Sequence, residues 1–263
     1  MTDKILVFIP CYNCAPQISR VLCQFDEKTA GYFSHILLLD NGSKDSTLES
    51  AMTAAHYLEG IPITIGKNRA NYNLGGSHKI AFQYAAENGF THVAVLHGDD
   101  QGNILDLLPI LQDRKHQLYD ACLGARFMPG ARLFGYSFFR IAGNKAFNLI
   151  FTSGTRKSIK DLGSGLNIFG KAVIEDQQIV KYADDLRFNI YLLLGMLEKK
   201  LKIEYFPISW REDDQISNVK MASQALQTLH LLWLALSEKK QFWLNDHRTI
   251  RHPAYQFDVV YQS

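Results

Sequence analysis

Three side chains within one pentapeptide, His97, Asp99 and Gln101, offer an imidazole, a carboxylate and a carboxamide at alternate positions. That set suits a divalent cation carrying a diphosphate, because phosphate oxygens and water complete the shell around only a few protein ligands. The bland alternative is a polar turn in which Asp100 or Asn103 caps the next helix. Asp40 poses a similar choice. It directly follows an apolar run, where its carboxylate can accept hydrogen bonds from a nucleobase or ribose, or can simply close its own turn. Asp45 is read as a cap of the following helix, a role that Ser43 could share. Cys11 and Cys14 form a CxxC, but with four cysteines in the chain there is no second pair to complete a zinc site. The remaining choice is between a redox dithiol and two incidental thiols.

The elements that must position these groups can be read from periodicity. Ile5 to Ile9 is a β-rich run ended by Pro10, and Ile18, Val21, Leu22 and Phe25 then recur at helical spacing. Strands at 35–39, 61–65 and 93–96 follow, with helices at 46–57, about 76–86 and about 104–118. Strand–helix alternation of this kind implies an α/β fold with a mostly parallel sheet covered on both faces. Ligands of such sheets gather at the carboxyl ends of the strands, where 10–13, 40–45, 68–73 and 97–101 all fall. Further strands are expected at 121–123, 166–169 and 203–207, a helix at 186–199, and an amphipathic helix carrying Leu226, Leu229, Trp233 and Leu236. Two units are expected, a main domain over 1–218 and a C-terminal helical extension and tail over 219–263.

Composition narrows the classes. The 263 residues are 47% hydrophobic and carry a net charge of +2, too balanced to argue for nucleic acid. Charge is concentrated locally instead. Residues 126–160 hold seven basic and no acidic side chains, interleaved with Phe127, Phe134, Tyr136, Phe138, Phe139, Phe147 and Phe151. This stretch reads either as a basic aromatic binding surface or as a solvated face over core aromatics. The first residues lack a secretion-signal pattern, and the apolar run 226–236 is about half the ~20 residues a spanning helix needs. A cytoplasmic chain that does not span the bilayer is the expectation.

Taken together, Ile9-Pro10-Cys11-Tyr12-Asn13, Asp40-Asn41-Gly42-Ser43-Lys44-Asp45, Asn73-Leu74-Gly75-Gly76 and His97-Gly98-Asp99-Asp100-Gln101 resemble the family 2 glycosyltransferases of GT-A fold. The order of later blocks, Gly124-Ala125-Arg126-Phe127, Arg140-Ile141-Ala142-Gly143-Asn144 and Asp161-Leu162-Gly163-Ser164-Gly165, is most similar to the dolichol-phosphate mannose synthase branch. The resemblance implies a nucleotide-sugar donor and an inverting transfer to a polyprenyl phosphate or other glycan acceptor. It implies that Pro10, Tyr12 and Asn13 line the nucleotide, that Asp40 meets base or ribose, and that Asp99 and Gln101 hold Mg²⁺ or Mn²⁺. Gly75, Arg126 and Arg211 belong to the same substrate site, and Arg140 and Lys145 join Arg126 as candidates for an acceptor phosphate. A loop after Arg211 that includes Ser217 is expected to close over the donor.

The chain departs from the family pattern at three points. Cys14 stands where an acidic residue is usual, Asn41 replaces the second of two aspartates, and His97 replaces the first aspartate of the metal motif. An imidazole ligand moves the preference toward Mn²⁺. Asp185, beside Asp184, matches the acidic position that serves as base for hydroxyl acceptors, while capping of the next helix is the alternative. A phosphate acceptor needs no base. The basic stretch would then lie on an anionic membrane surface, peripheral on its inner face. Two other classes remain open: a sugar-phosphate nucleotidyltransferase, disfavoured by the lack of a glycine-rich basic loop after the first strand, and a non-catalytic nucleotide-sugar-binding module.

Overall fold

The computed structural model describes residues 3–212 and 221–263. In chain order it builds β1 (Ile5–Cys11), α1 (Ala15–Leu22), β2 (His35–Asp40), α2 (Thr47–Ala55), β3 (Ile63–Asn68), α3 (Asn73–Glu87) and β4 (His92–Leu96). Then follow α4 (Leu108–Gln112), α5 (Lys115–Leu118), β5 (Ala121–Ala125), β6 (Arg132–Phe134), α6 (Phe138–Thr155), β7 (Leu166–Gly170), α7 (Lys171–Ile174) and α8 (Phe188–Glu198). The last are β8 (Ile203–Pro207), β9 (Ser209–Arg211), α9 (Met221–Ser237), α10 (Lys239–Leu244) and β10 (Phe257–Gln262). One eight-stranded sheet runs β10-β3-β2-β1-β4-β7-β5-β8, and β6 pairs with β9 in a small second sheet.

Strands β1 to β4 are mutually parallel, as are β5 and β8, while β7 and β10 run antiparallel to their neighbours. The near-continuous apolar character of β1, β2 and β4 follows from burial on both faces. Leu6, Phe8, Leu37, Leu39, Val93 and Val95 point to the side covered by α3, α8 and α9. Val7, Ile9, Ile36, Leu38, Ala94 and Leu96 point to the side covered by α1 and α2. Pro10 sits inside a central strand without harm because β1 pairs with β4 only through Phe8, so its missing N–H removes no ladder bond there.

Several expected boundaries shift for identifiable reasons. Strand β3 continues through Lys67 and Asn68, because β10 pairs with them through Asp258 and Phe257. The helix expected over 104–118 is broken into a 3-10 turn, α4 and α5, with Arg114 in the left-handed region at φ 54° between the last two. On α9 the buried face is Thr228, Leu231, Leu232 and Ala235, so Leu226, Trp233 and Leu236 lie exposed rather than in the core. Residues 221–263 hold α9, α10 and a final strand that joins the central sheet. Ser217 falls outside the described residues.

The centre of the core contains a titratable ring. His78 on α3 is buried, edge-on to Phe8 at 5.1 Å and tilted over Phe188 at 5.1 Å, with Nδ1 2.8 Å from the Leu74 carbonyl. Burial pushes its pKa from 6.5 down to about 3. The folded protein therefore holds it neutral, whereas the unfolded chain protonates it below about pH 6.5. Stability is full above that pH and declines as pH falls toward the folded-state value. We expect denaturant unfolding to show a loss on the order of 2 kcal/mol between pH 6.5 and pH 5 from this residue, and His78→Met to flatten that part of the profile.

Candidate active site

The loops at the carboxyl ends of β1 and β2 are stitched to each other by side chains. Asn13, at φ 50°, donates its backbone N–H to Ser43 Oγ at 2.9 Å, and its Oδ1 accepts from the Lys44 amide at 2.8 Å. Asp40 is buried and accepts from the Gly42 and Ser43 amides at 3.2 Å, so it does close its own turn. Asp45 accepts from Thr47 N and from Ala15 N, both at 3.1 Å, and so caps the start of α2 and α1 together. Tyr12, 44% exposed, and half-buried Pro10 stand beside this floor with open faces.

A second network ties β2 to the loop after β3. Asn41 donates from Nδ2 to Asn71 Oδ1 at 2.8 Å, and its Oδ1 accepts from Asn68 Nδ2 and from Tyr72 N, both at 2.9 Å. Asn71 Oδ1 also accepts from Asn73 N at 3.0 Å, and Asn68 Nδ2 also donates to Ser77 Oγ at 2.9 Å. Gly75 has a packing duty next to it: a Cβ there would come within 2.7 Å of Ala183 O and of Phe188 Cβ, and its amide donates to Asp184 O at 2.6 Å.

The 97–101 turn caps β4. Gly98 N donates to Pro10 O and His97 N to Gly165 O, both at 3.1 Å, and Arg211 N donates to Gln101 O at 2.9 Å. Asp99 Oδ1 accepts from Gln101 N at 3.2 Å, which holds these two candidate ligands on one short turn. The His97 ring instead packs inward against the α-carbon of Gly165, 6.4 Å from the His78 ring, with a buried Nε2 that has no hydrogen-bond partner. Burial and then the charge of Arg126 bring its pKa down to about 4, so it is neutral at pH 7 and keeps one lone pair for a ligand role. Among the described residues no three His, Cys, Asp or Glu side chains gather for a metal ion. Asp99 and Gln101, held on one turn, could give a cation a partial oxygen shell that phosphate and water would complete, while the His97 ring lies packed inward.

Several neighbouring cations are paired with acids. Arg126 grips Asp161 through Nε and Nη2 at 2.8 Å each and also donates to Gly163 O at 3.0 Å and Tyr136 OH at 3.1 Å. Arg140 pairs with Glu212 and lies over the Tyr136 ring. Lys79 Nζ is buried on Asp184 Oδ1 and Tyr182 O at 2.6 Å each, and Tyr255 OH donates to the same carboxylate at 2.9 Å. Asp185 takes Arg187 N and Nε at 2.9 Å and Nη2 at 2.6 Å, which also ties it to the start of α8. Burial raises the Asp185 pKa, but the Arg187 hydrogen bonds and charge outweigh that and hold it below the ordinary carboxylate value.

A model of the Glycosyl transferase family 2 domain matches residues 6–175. The chain belongs to that family. As a family 2 transferase it is an enzyme, and the nucleotidyltransferase and non-catalytic alternatives fall away. It is 24% identical over 269 residues to dolichyl-phosphate beta-glucosyltransferase of Saccharomyces cerevisiae, covering 89% of this chain and 77% of that one. Its fold is similar to crystal structures of glucosyl-3-phosphoglycerate synthase from Mycobacterium tuberculosis. The complex with Mn²⁺, UDP-glucose and phosphoglyceric acid aligns at TM-score 0.62 and 13% identity over 89% of this chain and 79% of that one. The complex with Mn²⁺, UDP and glucosyl-3-phosphoglycerate aligns at TM-score 0.62 and 12% identity over 99% and 89%. These likenesses confirm the GT-A α/β architecture.

Two of the transferase's three departures from its family pattern have local explanations. Cys14 is buried at the start of α1, and the carboxylate that reaches the Ala15 amide comes from Asp45 instead. Burial pushes the Cys11 thiol well up, with Cys14 adding to the shift, so Cys11 does not read as an activated redox thiol. The sequence carries no local signal for Arg20, Gln24 or Lys79, whose roles arise from contacts 76 or more residues away in the chain. Asn41 is decided by its partners. Asn71 Oδ1 is already pinned as an acceptor by Asn73 N, so position 41 must donate to it, and an aspartate there would set two acceptors face to face. Asn41→Asp should lower unfolding stability by about 1–3 kcal/mol, read by denaturant titration; an unchanged midpoint would mean the loop rearranges freely.

Proposed function

We propose that this transferase moves a hexose from a nucleotide-sugar donor to a polyprenyl phosphate at a membrane surface, inverting the anomeric carbon. Tyr12 and Pro10 would flank the base, Asn13 and Asp40 shape the floor beneath base and ribose, and Asp99, Gln101 and His97 would hold Mg²⁺ or Mn²⁺ against the diphosphate. A bound divalent cation supplies Lewis-acid neutralisation of the departing diphosphate. The acceptor oxygen forms the new bond to the anomeric carbon from the opposite side, and the pair from the breaking bond leaves on the diphosphate. Arg211 lies beside the turn for the donor phosphates, and Arg126 and Arg140 face the acceptor.

The observation that carries the acceptor reading is the form of α6. Arg140 lies within one turn of Phe138 and Phe139, which are 77% and 86% exposed, with Leu149 and Ile150 exposed further along the same helix. Arg132, Lys145, Arg156 and Lys157 are exposed around it. Aromatic side chains of this kind partition into an interface while basic ones attract anionic headgroups. No helix among the described residues is long and apolar enough to cross a membrane, so contact would be peripheral. The state of Asp185 agrees: a carboxylate locked by Arg187 is a poor base, and an acceptor that arrives as an anion needs none.

Two outcomes test this reading. Asp99→Asn should lower transfer by on the order of 10²-fold or more with unfolding unchanged, and a strong chelator should inhibit the wild type. Binding to anionic liposomes should weaken with salt and on replacing Arg132 and Lys145 by glutamine, at about 1 kcal/mol for each charge. Efficient transfer to a soluble sugar without liposome binding would overturn the lipid acceptor and make Asp185 the required base.

A further inference from the structure

The chain between α10 and β10 is a strap fixed at both ends. At one end His247 N donates to Lys181 O at 2.8 Å. At the other, Arg69 N donates to Gln256 O at 3.0 Å and Arg69 Nη1 donates to Gln256 Oε1 at 2.9 Å. Between these anchors Tyr255 joins the buried Lys79–Asp184 pair. Besides its bonds to Asp184, its hydroxyl lies 3.3 Å from Lys79 Nζ, which sits 4.9 Å from the centre of its ring. The ring lies on the first turn of α3, where a Cβ at Gly76 would come within 3.1 Å of it. His252 and Tyr255 both meet the Tyr72 ring edge-on, at 4.8 and 5.3 Å, while Asn41 takes the Tyr72 amide.

Two contacts carry this fastening onward to candidate donor residues. The Asp184 carbonyl accepts from Gly75 N at 2.6 Å, and Tyr72 is tied through its amide to Asn41, the chain neighbour of Asp40. We propose that Tyr255 is a positioning residue for the nucleotide-sugar donor. Its hydroxyl fixes the direction of Asp184 and its ring fixes Tyr72, so the 69–76 loop keeps its place against the loop after β2. The inference rests on the donor reading given above. Lys79 already has Asp184 at 2.6 Å, so the Tyr255 hydroxyl adds orientation to this pair rather than charge balance. Small displacements of groups that hold a substrate are felt in binding and rate, even when the altered residue touches no ligand.

The test measures binding of UDP, GDP, ADP, CDP and dTDP, each with Mn²⁺, by calorimetry on the full chain, alongside thermal unfolding. Tyr255→Phe keeps the ring on Tyr72 and Gly76 and removes only the hydroxyl. It should raise the dissociation constant of the nucleotide that the wild type binds best by on the order of fivefold. Gln178→Leu is the control for a purely structural role. It cuts the 2.6 Å bond from Gln178 Nε2 to Trp243 O, which holds the C-terminal segment at a point away from Tyr72 and Asp184. This variant should lower the unfolding temperature and leave the dissociation constant where it was. Unchanged nucleotide affinity in Tyr255→Phe, or an equal loss in Gln178→Leu, would overturn the proposal. Should Tyr255→Phe fail to fold, His252→Ala takes one ring from Tyr72 and spares the buried pair; it should weaken binding in the same direction, and unchanged affinity there overturns the proposal too. If the wild type binds none of the nucleotides, the donor reading fails and this inference falls with it, whereas normal binding that ignores Tyr255→Phe removes the role of Tyr255 alone.

Discussion

The carboxyl edge of a parallel sheet leaves backbone amides with no ladder partner, and the whole site depends on how these are satisfied. Here short polar side chains reach across from one loop to the next. Asn13 bonds the loop after β2, Asp45 caps α1 from the start of α2, and Asn41 takes the Tyr72 amide after β3. Each cross-link replaces water at a strand end and fixes one loop relative to another. The result is a floor whose shape precedes any ligand, and the side chains left over, Tyr12 above all, are those with open faces.

Charge is arranged on the same plan. Arg126 faces Asp161, Arg140 faces Glu212, Arg20 and Arg211 share Asp100, and Lys79 is buried on Asp184. The exposed pairs contribute little to stability, while breaking the buried Lys79–Asp184 pair would leave an uncompensated charge. A site built from matched pairs holds its arginines in fixed places without a strong net field.

The C-terminal segment is part of this frame. Tyr255 reaches Asp184 and packs edge-on against Tyr72 at 5.3 Å, and β10 then completes the sheet beside β3. A Cβ at Gly66 would collide with the Phe257 ring, so the absence of a side chain there is what lets β10 lie flat. The end of the chain thereby braces the start of α3 and the loop that carries Asp184 and Asp185.

The alternating pattern by itself determined the mostly parallel sheet and the placing of polar clusters at its carboxyl edge, because burial on both faces and strand-end chemistry are local properties that periodicity records, while the family was legible only in the resemblance of the motif blocks. It also anticipated Asp45 as a cap. It did not show that α9 buries Leu231 and Leu232 rather than Trp233 and Leu236, since a helix with apolar residues on more than one face leaves that choice to its neighbours. It did not reveal β10, whose strand character comes from pairing with β3. Nor did it separate Asp99 from Asp100, or assign Arg126 its grip on Asp161. Those roles were decided only by tertiary structure, because the partner of each charge lies 35 to 111 residues away in the chain, and a Coulomb or hydrogen-bond contact at that separation leaves no periodic trace.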